Sequence, residues 1–289
     1  MPAMMRLKAA LLACALVAPG ATAPAMGQSF DHSSLDTVLV RFVSDGRVDY
    51  AALKIGRAPL DEYVGQVAAV TAAQFEAWPE AERIAFLVNA YNAYTLETII
   101  DNYPIEPAGF FKKLTHPKRF AVPDNSIRQI DGVFDGITHQ VMGREVTLDD
   151  IEHASLRVDY NEPRIHFALV CAAVSCPPLR GEAYRGDRLD EQLDDQGQQF
   201  LNDPRLNRLE IDRGQVQLSK IFDWFGEDFL QFARADVGYQ GDEKLNGVLT
   251  FVSRYLLERD VEFLDSGDYK VDFLSYDWTL NDQAIAAVQ

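Results

Sequence analysis

Residues 79–101 read PEAERIAFLVNAYNAYTLETIID, and this stretch decides the fold. Its apolar side chains recur every three or four residues, at Ile84, Leu87, Val88, Tyr91, Leu96, Ile99 and Ile100. That spacing places them on one side of a helix, where they can be buried together. Pro79 suits the first turn of such a helix, and Pro104 prevents its continuation. The stretch therefore predicts a long helix over residues 79–101.

Three further stretches predict helices. Ser34 can cap a helix whose apolar residues share one face, namely Leu35, Val38, Leu39 and Phe42. Thr147 begins another with a capping-box pattern, in which Asp150 stands where Glu is usual. Residues 189–201 have the alternation of apolar and polar faces that is typical of an amphipathic helix.

Other stretches predict β structure. Residues 164–172, RIHFALVCA, are short and almost entirely apolar, as in a strand buried on both faces. Residues 208–211 and 215–218 flank an Arg-Gly pair and predict a hairpin. Residues 134–142 predict a second hairpin around Gly136. The expected fold class is α+β, with a mixed or antiparallel sheet packed with helices.

Composition and charge exclude several classes of protein. The 289 residues are 47% hydrophobic and 25% charged, which is ordinary for a globular protein and unlike a disordered or multispanning one. The chain carries 27 Lys and Arg against 44 Asp and Glu, a formal net charge of −17. Nucleic acids and anionic lipid surfaces both attract basic proteins, so we expect neither as a partner.

The first 27 residues differ from the rest. Arg6 and Lys8 precede a short apolar run over residues 9–18, and small residues follow up to Gly27. This order is typical of a secretory signal peptide, and the run is too short to span a bilayer. We therefore predict cleavage after Gly27, export to the periplasm or the medium, no stable membrane insertion afterwards, and a single α+β domain over residues 28–289.

Polar residues with catalytic chemistry concentrate between residues 147 and 180. They are Glu152, His153, Arg157, Arg164, His166 and Cys176. A nucleophilic thiol needs a base to form the thiolate, and the base needs an acceptor that orients it. Cys176, His166 and Glu152 are the right residue types, with His153 as the alternative base. Because two prolines follow Cys176, we expect it to lie on a rigid turn.

Two more pairs call for interpretation. Asn89 and Asn92 lie on one face of the predicted helix, where their amides can anchor neighbouring backbone or stabilise an oxyanion. Cys171 and Cys176 are the cysteines that remain after signal removal, because Cys14 lies within the signal. An exported chain favours a disulfide between them, whereas a buried strand at Cys171 disfavours it, so both alternatives stay open.

Four blocks of the sequence resemble a known family. AFLVNAYNAYTLETI at 85–99, LDDIEHASLR at 148–157, PRIHFALVCAAVSCPPLR at 163–180 and LSKIFDWFGEDF at 218–229 are similar to the signature blocks of the DUF547 family, and suggest an exported bacterial member. The resemblance covers a core of about residues 75–230. The recurrent polar residues of the family fall on Asn89, Asn92, Glu152, His153, Arg157, Arg164, His166 and Cys176.

The resemblance implies no defined activity, and its polar blocks suggest by analogy a thiol hydrolase of the papain or transglutaminase type. In papain-like enzymes the Cys precedes the His, whereas here His166 precedes Cys176. Any relation to that fold is therefore a permuted one.

Two functional hypotheses follow. In the first, Cys176 attacks an amide or ester carbonyl of a peptide or small molecule, His166 moves the proton, and Glu152 orients the imidazole. In the second, the polar residues form a buried network in a binding or scaffold module without catalysis. No phosphate-binding glycine loop, HExxH or CxxC motif is present, so we predict neither a cofactor nor a metal.

Overall fold

The structure is a computed structural model that describes residues 29–107, 109, 121–234, 239 and 241–286. The predicted signal peptide, residues 1–27, lies outside the described residues. None of the described helices is both long and apolar enough to cross a membrane.

The first half of the chain is mainly helical. Its elements are α1 (Ser33–Phe42), β1 (Val43–Ser44), β2 (Arg47–Val48), α2 (Tyr50–Ile55), α3 (Ala58–Ala69), α4 (Ala72–Ala77), α5 (Glu80–Asp101), β3 (His139–Val141) and β4 (Arg144–Val146). A π-helical segment (Asp150–Leu156) follows and continues into α6 (Arg157–Asp159).

The second half alternates helices with short strands. Its elements are α7 (Ile165–Ala168), α8 (Leu189–Leu201), β5 (Arg208–Glu210), β6 (Gln215–Leu218), α9 (Lys220–Phe225), a 3-10 helix (Gly226–Phe232), α10 (Glu243–Ser253), α11 (Glu258–Ser266), β7 (Lys270–Phe273) and α12 (Gln283–Ala286).

The strands form small sheets beside the helices. β1 pairs with β2, and β3 pairs with β4, both antiparallel. β5 and β6 pair antiparallel, while β6 and β7 pair parallel, so the three-stranded sheet is mixed. The α+β class is confirmed, and the hairpin predicted over residues 208–218 is present.

The long helix predicted from residues 79–101 is confirmed as α5. Pro79 is its N-cap and Asn102 its C-cap, and most of its side chains are buried. Burial extends around the whole helix rather than along one face, because α2, α3, the π-helical segment and α8 all pack against it. α5 is therefore the central element of the first of two hydrophobic clusters.

The second hydrophobic cluster is largely aromatic. Phe167, Phe200, Phe222, Phe229 and Phe251 are each almost fully buried in it. Phe167 belongs to this cluster while the next residue, Ala168, belongs to the first. α7 thus lies where the two clusters meet.

The strand predicted over residues 164–172 is wrong. Ile165–Ala168 form the single helical turn α7, and the chain is irregular from Leu169 onward. A short apolar run fits a buried strand and a buried helical turn equally well, so periodicity could not separate them. The Asn92 side chain binds the backbone on both sides of Leu169: it donates to the carbonyl of Ala168 (2.9 Å) and accepts from the amide of Val170 (2.9 Å).

The predicted hairpin around Gly136 is displaced along the chain. The turn between β3 and β4 is at Met142 and Gly143, whose φ angles are 53° and 68°. Two successive positive φ values define the tight turn that suits a two-residue hairpin. Methionine is rare in such a turn, which is why the sequence did not indicate it.

The predicted caps have different outcomes. Helix α1 begins at Ser33 with His32 as its N-cap residue and no side-chain cap, so the predicted role of Ser34 is wrong. The box at Thr147 is confirmed, because its hydroxyl accepts from the Asp150 amide (3.1 Å) and Asp150 accepts from the Thr147 amide (2.8 Å). The predicted helix over residues 189–201 is confirmed as α8.

Candidate active site

A cleft of about 310 Å³ opens to solvent beside α5 and α7. One side of it is polar and is formed by Asp149, Glu152, His153 and His166. Trp224, Tyr276 and Trp278, whose rings contact one another, form an aromatic side, while Phe225 stacks on His166. The two cysteines, Cys171 and Cys176, also line it. Its size suits a small organic molecule or one residue of a larger one.

Cys171 and Cys176 are joined as a disulfide, with their Cα atoms 6.2 Å apart. The turn between them includes Ala172, which is fully buried and has a φ of 58°. A left-handed conformation costs a non-glycine residue about 1–2 kcal/mol, and such strain is concentrated at functional sites. Of the two alternatives left open by the sequence, the structure has the disulfide.

The C-terminal segment holds this cysteine turn in place. Val174 donates its amide to the carbonyl of Thr279 (2.8 Å), and Ser175 donates to the carbonyl of Asp277 (3.2 Å). The Asp277 amide in turn donates to the Ser175 hydroxyl (2.9 Å). Residues 276–278, which form part of the aromatic side of the cleft, are thereby fixed relative to the cysteines.

His166 lies on α7 and is oriented by a carboxylate. Its Nε2 donates to Asp228 Oδ2 (2.7 Å), and its ring stacks on Phe225 at 4.3 Å between centroids. Since an ionised carboxylate only accepts, Nε2 carries the proton and Nδ1 is left as the basic nitrogen. Burial lowers the pKa of His166, and Asp228 opposes that effect. The imidazole can therefore act as a neutral base.

Asp228 takes the place that the sequence predicted for Glu152 as the acceptor of the imidazole proton. It also accepts from Arg157, at 2.6 Å from Nε and 2.8 Å from Nη2. Burial raises the pKa of Asp228, but hydrogen bonds from Arg157 and His166 outweigh it and hold the pKa well below its usual range. Asp228 is thus a stable anion beside the base.

Glu152 lies on the π-helical segment, with its side chain almost buried. Burial raises the pKa of Glu152 to about 7, although Arg157 and a hydrogen bond from Tyr91 oppose the rise. A carboxyl group with such a pKa can both donate and accept a proton near neutral pH. Glu152 can therefore serve as an acid–base group, while the imidazole of His166 is oriented by Asp228.

His153 is more exposed than His166 and has different partners. Arg157 Nη1 donates to His153 Nδ1 (3.2 Å), while His153 Nε2 is 3.9 Å from Asp149. Burial lowers the pKa of His153. Both histidines line the cleft, but His166 has the carboxylate partner that a catalytic base needs.

The remaining predicted residues bind other groups around the cleft. Arg157 donates hydrogen bonds to Asp228 and to His153, as described above. Arg164 lies outside the cleft lining and pairs with Glu162 (2.6 Å) and Asp194 (2.7 Å), which connects α7 to α8. Asn89 donates to the carbonyl of Tyr184 (2.7 Å) and accepts from its amide (2.9 Å).

Asn89 and Asn92 thus both bind backbone, as the network interpretation of these residues predicts. Neither lines the cleft. Within the described part of the chain, no group of three or more His, Cys, Asp or Glu side chains is arranged to hold a metal ion.

Sequence reasoning missed Asp228 and the aromatic side of the cleft. Asp228 is inside the block LSKIFDWFGEDF, and this acid was the available signal. The contact to His166 spans 62 positions in the chain, which local patterns do not reveal.

Comparison with known proteins identifies one family. The model for a protein family of unknown function, DUF547, matches residues 75–201. The match contains α5, the π-helical segment and both cysteines, and it ends before Asp228. No curated protein and no solved structure matches the chain. Over residues 75–201, which hold Glu152, His166 and Cys176, the chain therefore resembles the DUF547 family.

Proposed function

We propose that the cleft is the active site of a thiol-dependent hydrolase or acyl transferase that acts on an amide or ester. The observation that carries the proposal is the hydrogen bond between His166 and the ionised Asp228 in a cleft that Cys176 also lines. A thiol, an oriented imidazole and a permanent anion are the components of nucleophilic acyl transfer.

Reduction of the disulfide is the first requirement of this function. A dithiol reductant reduces the bond between Cys171 and Cys176, which gives two thiols and the oxidised form of the reductant. The Cys176 thiol then transfers its proton to Nδ1 of His166. Asp228 stabilises the imidazolium that forms and keeps Nε2 protonated.

The acyl transfer follows in two stages. The Cys176 thiolate attacks the carbonyl carbon, and the tetrahedral intermediate collapses to a thioester while His166 protonates the leaving amine or alcohol. Water or another nucleophile, deprotonated by His166, then attacks the thioester and releases Cys176. Protonated Glu152 can donate to the carbonyl oxygen as negative charge develops there.

The finer parts of the proposal concern fold relationship and location. His166, Cys176 and Asp228 occur in this order along the chain, which is consistent with a permuted papain or transglutaminase arrangement. Export to the periplasm or the medium rests on the signal-like first 27 residues. An oxidising compartment would favour the Cys171–Cys176 disulfide, so the active form there requires a supply of reductant.

A scaffold or binding module is the second candidate function. Two observations favour it: Asn89 and Asn92 bond buried backbone groups, and Asn89 also the buried His32 ring, while Cys176 is just 5% exposed within a disulfide. In this case the cysteine pair is a structural staple and the thiol never reacts.

Two cysteine variants separate these candidates. Cys171→Ser leaves Cys176 unable to form the disulfide, so we expect hydrolysis of a panel of activated esters and amides without added reductant. Wild type should need a dithiol, and Cys176→Ser should be inactive in both conditions. Two results would favour the scaffold role. One is turnover by Cys176→Ser, and the other is the absence of turnover in both reduced wild type and Cys171→Ser.

A further inference from the structure

The aromatic side of the cleft is partly open to solvent. Trp224 is 43% exposed, although its ring contacts Tyr276 at 4.8 Å and Trp278 at 6.0 Å between centroids. Tyr276 links this surface to the cysteines, because its hydroxyl is 3.1 Å from Cys171 Sγ. A planar apolar group that stacks on Trp224 would therefore lie near the cysteine pair, on the side of Cys171.

Arg128 lies at the same side of the cleft, over the ring of Trp278. Its guanidinium carbon is 4.7 Å from the centre of the Trp278 ring. Stacking uses the face of the guanidinium and leaves the N–H groups at its edge free to donate. Among the described residues, Arg128 has no carboxylate partner, whereas Arg157 is paired with Asp228.

A guanidinium with free donors binds carboxylates in a two-pronged geometry. The part of the lining formed by Asp149 and Glu152 is acidic and does not favour an anion. An anionic group of a bound molecule is thus directed to Arg128. Its neutral carbonyl is then directed to the cysteines and the acid–base groups.

We propose that the substrate is a small acyl compound that carries a carboxylate and a planar apolar group, such as an N-aroyl amino acid. Arg128 binds the carboxylate, and Trp224 stacks on the planar group. This inference rests on the proposed acyl-transfer function for the bond that is broken, but the binding preference can be measured without any turnover.

The test compares two compounds that differ in charge alone: N-benzoylglycine and N-benzoylglycinamide. Their affinities for Cys176→Ser protein are measured by calorimetry at neutral pH, where the first compound is an anion. We expect N-benzoylglycine to bind roughly tenfold more tightly, as a charge-assisted hydrogen-bonded pair would give.

Variants assign the preference to named residues. Arg128→Gln should bind both compounds equally, at the affinity of the amide. Arg144→Gln is the matched control, since Arg144 is an exposed arginine of β4 that does not line the cleft, and it should keep the preference. Trp224→Ala should weaken the binding of both compounds by a similar factor.

Equal binding of the two compounds to the Cys176→Ser protein, or no detectable binding of either, would overturn the inference. A second result would also overturn it: Arg128→Gln lowers the affinity for both compounds by the same factor and keeps the preference for N-benzoylglycine. That result would indicate a merely structural arginine. Failure of the proposed acyl transfer would appear in the cysteine variants instead and would leave this binding preference unchanged.

Discussion

Glu152 and His166 show how burial acts differently on an acid and on a base at one cleft. Removal from water disfavours the charged form of each, so the pKa of the carboxyl rises to about 7 while that of the imidazole falls. Both groups can therefore be neutral at the same pH. The sequence contained both residues but not their burial, since their environments are formed by distant segments.

The raised pKa of Glu152 makes stability depend on pH. The folded protein holds the Glu152 proton up to about pH 7, whereas the unfolded chain releases it near the ordinary pKa of a glutamate, 4.5. The favourable contribution is complete below pH 4.5 and is lost as the pH rises to 7. Over this window we expect wild type to lose about 3 kcal/mol relative to Glu152→Gln.

The measurement is the free energy of unfolding of both proteins by denaturant between pH 4.5 and pH 8. The difference between the two profiles isolates this one group from the other titrating residues. Parallel profiles would show that the pKa of Glu152 is not raised in the folded protein.

Asp228 determines the basicity of His166. Since Asp228 raises the pKa of the imidazole, Asp228→Asn should lower it and leave the Cys176 thiolate less stabilised. In reduced protein, the rate of iodoacetamide labelling at Cys176 should then follow a pKa shifted towards the free-thiol value of about 8.5. His166→Ala should cause the same shift, and His153→Ala should cause little.

Asp61→Asn is the matched control for Asp228→Asn. Asp61 also pairs with an arginine, Arg57, but this pair does not line the cleft. The pH dependence of Cys176 labelling in Asp61→Asn should equal that in wild type. A shift with His153→Ala and none with His166→Ala would make His153 the base.

At the scale of elements, α5 is connected to the site through its two asparagines. Asn92 binds the backbone that follows α7, and Asn89 binds the backbone at Tyr184 before α8. Asn89→Ala leaves a buried amide and a buried carbonyl without their partners. We expect it to destabilise the fold by about 1–3 kcal/mol, as measured by denaturant unfolding.

Asn202→Ala is a suitable comparison, because Asn202 bonds only its own helix, to Gln198, at an exposed position. It should change stability far less. Folded Asn89→Ala protein should keep its turnover, since Asn89 does not line the cleft. Unchanged stability together with lost activity would instead make Asn89 part of the catalytic set.

Helices and strands could be predicted where the hydrophobic pattern was long or where a turn residue such as glycine marked its end. The repeats of α5 and α8 extend over many residues, and the β5–β6 hairpin has a glycine with positive φ at Gly214. The prediction for residues 164–172 failed because a short, mostly apolar run does not distinguish a strand from a helical turn. The conformation around Leu169 is fixed by hydrogen bonds from Asn92 on α5. A contact between distant elements leaves no pattern in the local sequence.

At the scale of the whole molecule, the site combines segments that the sequence separates widely. The family match ends at residue 201, whereas Asp228, which binds His166, and the lining residues Tyr276 and Trp278 lie beyond it. The α+β class followed from element patterns. The assembly of the cleft did not, because it depends on how the two hydrophobic clusters meet at α7.

Phe30, which closely follows the predicted cleavage site after Gly27, is bound to the fold. The Phe30 amide donates to the buried carboxylate of Glu82 (2.7 Å), and the Phe30 ring contacts Trp78 and Phe86. A cut after Gly27 leaves Phe30 in the mature protein. We therefore expect N-terminal sequencing of protein from its native compartment to find Gln28 first. A sequence that starts at Met1 or Pro2 would contradict export with cleavage.

Truncation tests the same boundary by stability. A chain that starts at Gln28 keeps every Phe30 contact and should unfold at the same temperature as one that starts at Gly27. A chain that starts at Asp31 loses the Phe30 ring and its hydrogen bond to Glu82. Since burial of a whole phenylalanine contributes about 1.5–3 kcal/mol, we expect this second truncation to destabilise the protein by up to about 3 kcal/mol. Equal melting temperatures for the chains that start at Gln28 and at Asp31 would show that Phe30 does not anchor the mature N-terminus.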